Sequence, residues 1–431
     1  MRTTSLLSCL VLSACVAVGT AQAASKTAAK TPRPVAPAVP TEIELSHQLD
    51  EAQAERLEPV VDRFNATQKE FHLHLVRRTE GASPTLLNLA TREDLSHFVA
   101  NRARFKPLFE VLHDAKEPLD SARLSPELRV GVADSKGRLM ALPVALSTPV
   151  LFYNKALFRK AGLYPETPPH TWWEVQQAAD KLFDAGSRCP YTTSWPAWVH
   201  IDNASAWNGA EVADSRGRLA FNGLVQIKHI AMLNSWYKSR FFVYFGRRDE
   251  ADQRFAEGEC GMLTSGSALY ATLRDKPGLE VGVSALPYYD DVRGAPQQTL
   301  ADGASLWVGG GHKPAEYKGA ASFVKFLMAP DVQVALTRNG GFLPMTPAAR
   351  AAVSSRLLGG DVAGVDVAMR QLQGKSAQRT LRVSQIEPVR MIVEEELEAV
   401  WANRKPAKAA LDDAVERGNV VLPQALRASP L

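Results

Sequence analysis

Two tryptophans three residues apart, an arginine near a helix start and a Ser-Gly-Ser step are the residues whose types and spacing suit the holding of a small polar molecule. Trp195 and Trp198 flank Pro196-Ala197 on a loop after a helix and read as an aromatic ledge; core packing is the other use of two large rings. Ser265-Gly266-Ser267 closes a strand and could offer hydroxyls and backbone N–H groups to a phosphate if a helix begins at Ala268, or could simply supply an N-cap. Arg390, on a long helix opened by Ile386-Glu387-Pro388, carries a fixed fork of donors that suits phosphate oxygens, or else an ion pair with Glu394 or another carboxylate. The Glu394–Glu396 run reads as a solvated helix face. His72 and His74 alternate onto one face of a strand, which is ligand-like, but with no nearby carboxylate or cysteine at metal spacing they read as surface or edge histidines.

Bond-breaking chemistry has no comparable signature. The sequence offers no metal-ligand cluster, no G-x-S-x-G elbow and no acid pair with evident spacing, so an enzyme is not expected and no cofactor is implied. Gly309-Gly310-Gly311-His312-Lys313 is a phosphate loop in composition only, lacking the spaced glycine and the Lys-Ser/Thr ending, and reads as a turn.

The elements that must position these residues turn on the stretch 139–185. Val150–Tyr153 is a short apolar strand with Asn154 as N-cap of a helix over Lys155–Ala161, closed by Gly162. Thr171 and Glu174 then form a capping box that starts a second helix ending near Gly186. Upstream, Glu42–Leu45, a helix over Glu51–Asn65 interrupted at Pro59 by a kink or break, and Phe71–Val76 suggest a parallel βαβ unit. Leu86–Thr91 is the next strand, and a turn follows at Ser135-Lys136-Gly137. Downstream come a helix over Val225–Tyr237, strands ending at Ser265 and over Val281–Pro287, and Asp302–Val308, which returns the chain to the first lobe. Helices over Ala315–Met328 and Asp331–Arg338 precede a variable stretch, Ala351–Gln378.

A chain of 431 residues is too long for one core and implies two lobes. Hydrophobic residues at 45% and charged residues at 22% are ordinary for a soluble globular protein, and a net charge of +4 does not point to nucleic acid. Arg2, the apolar run Leu6–Val18 and Ala21-Gln22-Ala23 make a secretory signal peptide, 1–23; Leu12-Ser13-Ala14-Cys15 is a competing lipoprotein box that would lipidate Cys15. Residues 24–41 read as a disordered linker. Cys189 and Cys260 survive cleavage after residue 23, as a disulfide or as two buried thiols.

The strings STPVLFYNKALFRKAGL (147–163), the following PP-TW, SAWNG (205–209), QIKHIAML (226–233), GASLWV (303–308), EEELEAVW (394–401) and ALDDAVERGN (410–419) closely resemble the periplasmic sn-glycerol-3-phosphate-binding proteins of ABC importers, within extracellular solute-binding protein family 1. The resemblance covers roughly Phe105 to the C-terminus and is poor before it. It implies an α/β, two-lobe periplasmic binding protein of type II, like maltose-binding protein, with a ligand cleft between lobes. The lobes would be 42–149 with 302–350, and 150–301 with 351–431.

By the same resemblance, Trp195 and Trp198 pack against the ligand's carbon skeleton while Ser147, the Gly303 N–H and Arg390 hold its polar end. The family's phosphate-contacting serine falls on Gly266, so Ser265 or Ser267 would stand in, and its binding-loop tyrosine is replaced by Phe342, which keeps the ring but loses the hydroxyl. The family's Tyr-Glu pair appears as Ala90-Thr91, with Glu93 as a possible substitute. The implied function is binding of sn-glycerol-3-phosphate or a glycerophosphodiester in the periplasm by a monomer that serves a permease and an ATPase. A degenerate binding protein acting as sensor or docking subunit, and an exported phosphodiesterase, are the alternatives.

Overall fold

The computed structural model describes residues 39–49, 51–79, 83–91, 104–129, 131–134, 136–214, 216–357, 359–372 and 387–428. The signal peptide, Cys15, Glu93, Ser135 and most of the linker lie outside them. Eleven strands in these residues fall into two sheets.

The first sheet holds β1 (Thr41–His47), β2 (Phe71–Arg77), β3 (Leu87–Ala90), β4 (Phe105–Lys106), β5 (Leu142–Ser147) and β11 (Asp302–Gly309), in the order β2-β1-β3-β11-β4 with β5 also on β11. β1 is parallel to β2 and β3, as a βαβ crossover requires, and β11 runs antiparallel to β3, β4 and β5. The connecting helix Glu51–Thr67 buries Leu57, Val60, Val61 and Phe64 at helical spacing against that sheet. It continues through Pro59 instead of breaking there, because its packed apolar stripe holds both halves on one core.

The second sheet holds β6 (Pro149–Asn154), β7 (Cys189–Thr193), β8 (Phe242–Val243), β9 (Cys260–Gly266) and β10 (Val281–Ser284), in the order β10-β6-β9-β7-β8. Its strands bury Val150–Tyr153 completely between covering helices. Local signals hold: the Asn154 side chain accepts from the Ala156 and Leu157 N–H groups, the Thr171–Glu174 capping box forms, and Gly162 and Gly186 take left-handed conformations. Cys189 and Cys260, partners across β7 and β9, are disulfide-bonded.

Several expectations are corrected. The stretch 351–378, for which the sequence reading gives no elements, holds in its described part the end of the helix Pro347–Arg356 and the helix Gly359–Leu372, which share a core with Leu128, Leu146 and Leu343. β10 stops at Ser284, short of Pro287. Glu394 and Glu396 are buried, not solvated: Glu396 accepts from Lys405 at 2.6 Å and Arg417 at 2.7 Å, both brought in by the neighbouring helix Ala407–Ala428 and the turn before it.

Only Thr148 separates β5 from β6, so the chain leaves one sheet and enters the other within a single residue. It returns at Asp302, which pairs directly with Ser147. The two crossings therefore lie side by side.

Candidate functional site

Ser147 ends β5 at the outgoing crossing, half-buried. Gly266 ends β9 opposite Pro149, and a Cβ built on it would lie 2.9 Å from Ser147 Oγ and 3.9 Å from Trp198 Cη2. Its backbone is extended with negative φ, so glycine is needed there for room, not for conformation. A hydroxyl, a bare stretch of backbone and a tryptophan edge thus converge where the lobes join.

The two flanking serines behave differently. Ser267 is buried, donates its N–H to the Thr148 carbonyl at 2.8 Å and accepts the Thr148 N–H on Oγ at 3.3 Å, so it fastens the crossing. Ser265 is buried within β9, opposite Val150. Gln371, on the helix Gly359–Leu372, fastens the same crossing: its Nε2 donates to Thr148 Oγ1 at 3.3 Å and to the Pro149 carbonyl at 3.0 Å, and its Oε1 accepts from the Leu286 N–H at 2.6 Å. No sequence signal marked it, since it falls in the stretch read as variable.

Trp195 and Trp198 are not on a loop after a helix. They follow β7, and Ala197–Asn203 is a π-helical segment entered through Pro196. Such wide turns are uncommon and cluster at functional sites. Trp195 has a left-handed backbone and is 37% exposed, whereas Trp198 is 7% exposed with its indole N–H unpartnered among the described residues. Asn203 ties the segment to the returning crossing, donating to the Trp198 carbonyl at 3.0 Å and accepting from the Leu300 N–H at 2.7 Å.

Beneath the tryptophans runs a buried chain of polar groups. One consistent proton arrangement has Tyr289 O–H donating to His229 Nδ1 (2.7 Å), His229 Nε2–H to His200 Nδ1 (2.9 Å), His200 Nε2–H to the Tyr191 oxygen (3.2 Å) and Tyr191 O–H to Thr264 Oγ1 (2.8 Å). Thr264 then donates to Thr193 Oγ1 at 2.9 Å, and Thr193 to the Ser194 carbonyl at 3.2 Å, one residue before Trp195. Each donor is used once with both imidazoles neutral. Burial explains that neutrality: it lowers His229 to about 3 and drives His200 well below the usual imidazole range, helped by His229.

Arg390 is largely buried, its side chain 12% exposed, in a nest of carboxylates. Its Nη2 and Nε donate to Asp202 Oδ2 at 2.6 and 3.0 Å, its Nη1 donates to Asp302 Oδ2 at 2.7 Å, and Glu387 lies 3.6 Å away. The ion-pair alternative is thus realised in this structure, with Asp202, Asp302 and Glu387 in place of Glu394. Burial by itself lowers the guanidinium's pKa, but the charges of Asp202, Asp302 and Glu387 outweigh it and raise the value above the ordinary one. The guanidinium thus joins carboxylates from three separate parts of the chain.

Asp302 also accepts the Gly303 N–H at 2.8 Å, so that donor is engaged by the protein itself. Gly303 has φ +142°, and a Cβ there would lie 2.1 Å from the Ala145 carbonyl, which excludes any other residue. Phe342 is buried in the first-sheet core, and its loop docks on the crossing through Leu343 N–H to the Leu146 carbonyl at 2.9 Å. Glu394, one turn beyond Arg390, accepts the Ala197 N–H at 2.7 Å, while its second oxygen is unpartnered among the described residues. Burial pushes its carboxyl up to about 8.

The structure therefore brings Ser147, Trp198 and Gly266 into contact, and links Arg390 and Gly303 to them through Asp302. Ser267 serves the crossing itself; Ser265 and Phe342 belong to the flanking cores. Asp202, Asp302 and Gln371 are the site residues that sequence reasoning missed.

Residues 76–356 match the family model described as bacterial extracellular solute-binding protein. The chain is 36% identical over 407 residues to the sn-glycerol-3-phosphate-binding periplasmic protein UgpB of Yersinia pseudotuberculosis, covering 89% of this chain and 92% of that protein. The likeness thus extends upstream of Phe105, further than the motifs alone suggest. Among solved structures, UgpB from Mycobacterium tuberculosis in complex with glycerophosphocholine superposes with a TM-score of 0.73 at 18% identity, covering 90% of this chain and 99% of that one. Maltose-bound T. maritima MalE3 superposes with a TM-score of 0.71 at 16% identity, covering 89% and 100%. The fold is that of the maltose-binding-protein-like, two-lobe periplasmic binding proteins.

Proposed function

The chain belongs to the bacterial extracellular solute-binding protein family, and from that premise we propose that it is the substrate-binding subunit of an ABC importer, taking sn-glycerol-3-phosphate or a glycerophosphodiester between its lobes. The observation that carries the ligand class is the 36% identity, across nearly the full length of both chains, to a protein named for binding sn-glycerol-3-phosphate. The relative's periplasmic name supports an exported protein; in our reading it works as a monomer that delivers its cargo to a membrane permease and its ATPase, as a binding protein and not an enzyme. The lobes in this reading are 42–149 with 302–350, and 150–301 with 351–431, which keeps the strands of each sheet together apart from Thr41 and Pro149 at the margins.

Within the cleft, Trp195 and Trp198 pack against the carbon skeleton, and Ser147 Oγ receives the polar end beside Gly266. Arg390 acts there by holding Asp202 and Asp302 against the crossing; a phosphate that reached its fork would have to displace a carboxylate.

A thermal-shift panel with glycerol-3-phosphate, glycerophosphocholine, inorganic phosphate and maltose tests this. Ligand at about 100 times its dissociation constant adds about 2.7 kcal/mol, an easily read rise in Tm. We expect that rise with a glycerol phosphate ester and not with maltose; the reverse pattern would remove the assignment.

A further inference from the structure

The outer face of the first sheet carries a cluster that the binding reading does not use. β1 and β2 pair in parallel with Glu42 opposite His72 and Glu44 opposite His74, so all four side chains share the solvent-facing side of the pleat. The rings of His72 and His74 lie 4.6 Å apart, and His74 Nε2 is 2.6 Å from Glu42 Oε2. The absence of a nearby carboxylate, which argued from sequence against a metal, is thus corrected: Glu42 lies 32 residues earlier in the chain, and the βαβ register brings it in.

We propose that Glu42, His72 and His74 form a binding site for a divalent transition-metal ion of the Zn2+ type. One donor atom from each of the three lies within 4.8 Å of the others. Tetrahedral zinc with bonds of about 2.0–2.1 Å needs donors about 3.4 Å apart, so closure asks for shifts of about an ångström from side chains free to rotate in water. Two imidazoles and a carboxylate select zinc, nickel or copper over magnesium and calcium, which prefer all-oxygen shells. A three-ligand set leaves a fourth position for water, and Glu44 adds a second negative charge on the same face.

Isothermal titration of the chelator-treated mature chain with Zn2+ and, separately, Mg2+ tests the site. We expect one Zn2+ per chain and no Mg2+ heat. Affinity should fall at least about tenfold in His74→Ala and in Glu42→Gln, and stay unchanged in His113→Ala, an exposed histidine elsewhere. Because the substituted side chains face solvent, metal-free melting temperatures should match the parent. No stoichiometric Zn2+ binding, or equal binding by a His72→Ala/His74→Ala double variant, would overturn the proposal.

Discussion

Arg390 is held in its place by attraction to two aspartates, and those aspartates tolerate burial because of it. Removing the cation from a largely buried cluster takes a charge partner from its carboxylates, so Arg390→Ala should lower stability by about 3 kcal/mol. A shifted midpoint in urea unfolding checks it; an unchanged midpoint would mean the cluster is well solvated. Gly266→Ala makes the complementary point, since its methyl would lie 2.9 Å from Ser147 Oγ. That hydroxyl should swing away and ligand affinity fall about tenfold while the urea midpoint barely moves, a change equivalent to about 1.4 kcal/mol of binding. Arg390 was legible in the sequence as a polar anchor, but its partners Asp202 and Asp302 lie 188 and 88 residues away, and no local pattern joins them. Glu394 and Glu396 misled for a related reason: three consecutive acids resemble a solvated face until the segment Ala197–Asn203 is folded against Glu394 and the helix Ala407–Ala428 against Glu396.

At the scale of elements, the helix Glu387–Trp401 and the π-helical segment Ala197–Asn203 are joined through a carboxyl whose proton matters. Glu394 binds a proton more tightly in the fold, at about 8 against an unfolded value near 4.5, so its contribution to stability is lost as pH rises through that window. The buried His229, lowered from 6.5 to about 3, has the opposite sign: the unfolded chain binds the proton more tightly, and stability is lost as pH falls from 6.5. Between pH 6.5 and 8 only the Glu394 effect of the two operates. Urea midpoints of the parent protein should therefore decline across that range and those of Glu394→Gln should decline less; parallel curves would contradict the assignment. Caps, turns and strand periodicity were readable because each is decided within a few residues, as at Asn154 and Thr171. The π-helical turn was not, since it depends on Glu394, Asn203 and His229 contacts made by distant segments.

For the whole molecule, the side-by-side crossings at Thr148 and Asp302 permit closure about a short hinge, with Gln371 and Ser267 holding one strand of it. The two-lobe fold could be inferred from length, alternating elements and collinear motifs; the ion cluster at the crossing could not, because it joins residues from three parts of the chain. The central claim is the binding of a glycerol phosphate ester. Isothermal titration of the mature chain with glycerophosphocholine and with sn-glycerol-3-phosphate, side by side, measures it. One site per chain, filled by at least one of the two esters, is the expected result, and no heat from either compound with folded protein would contradict the account.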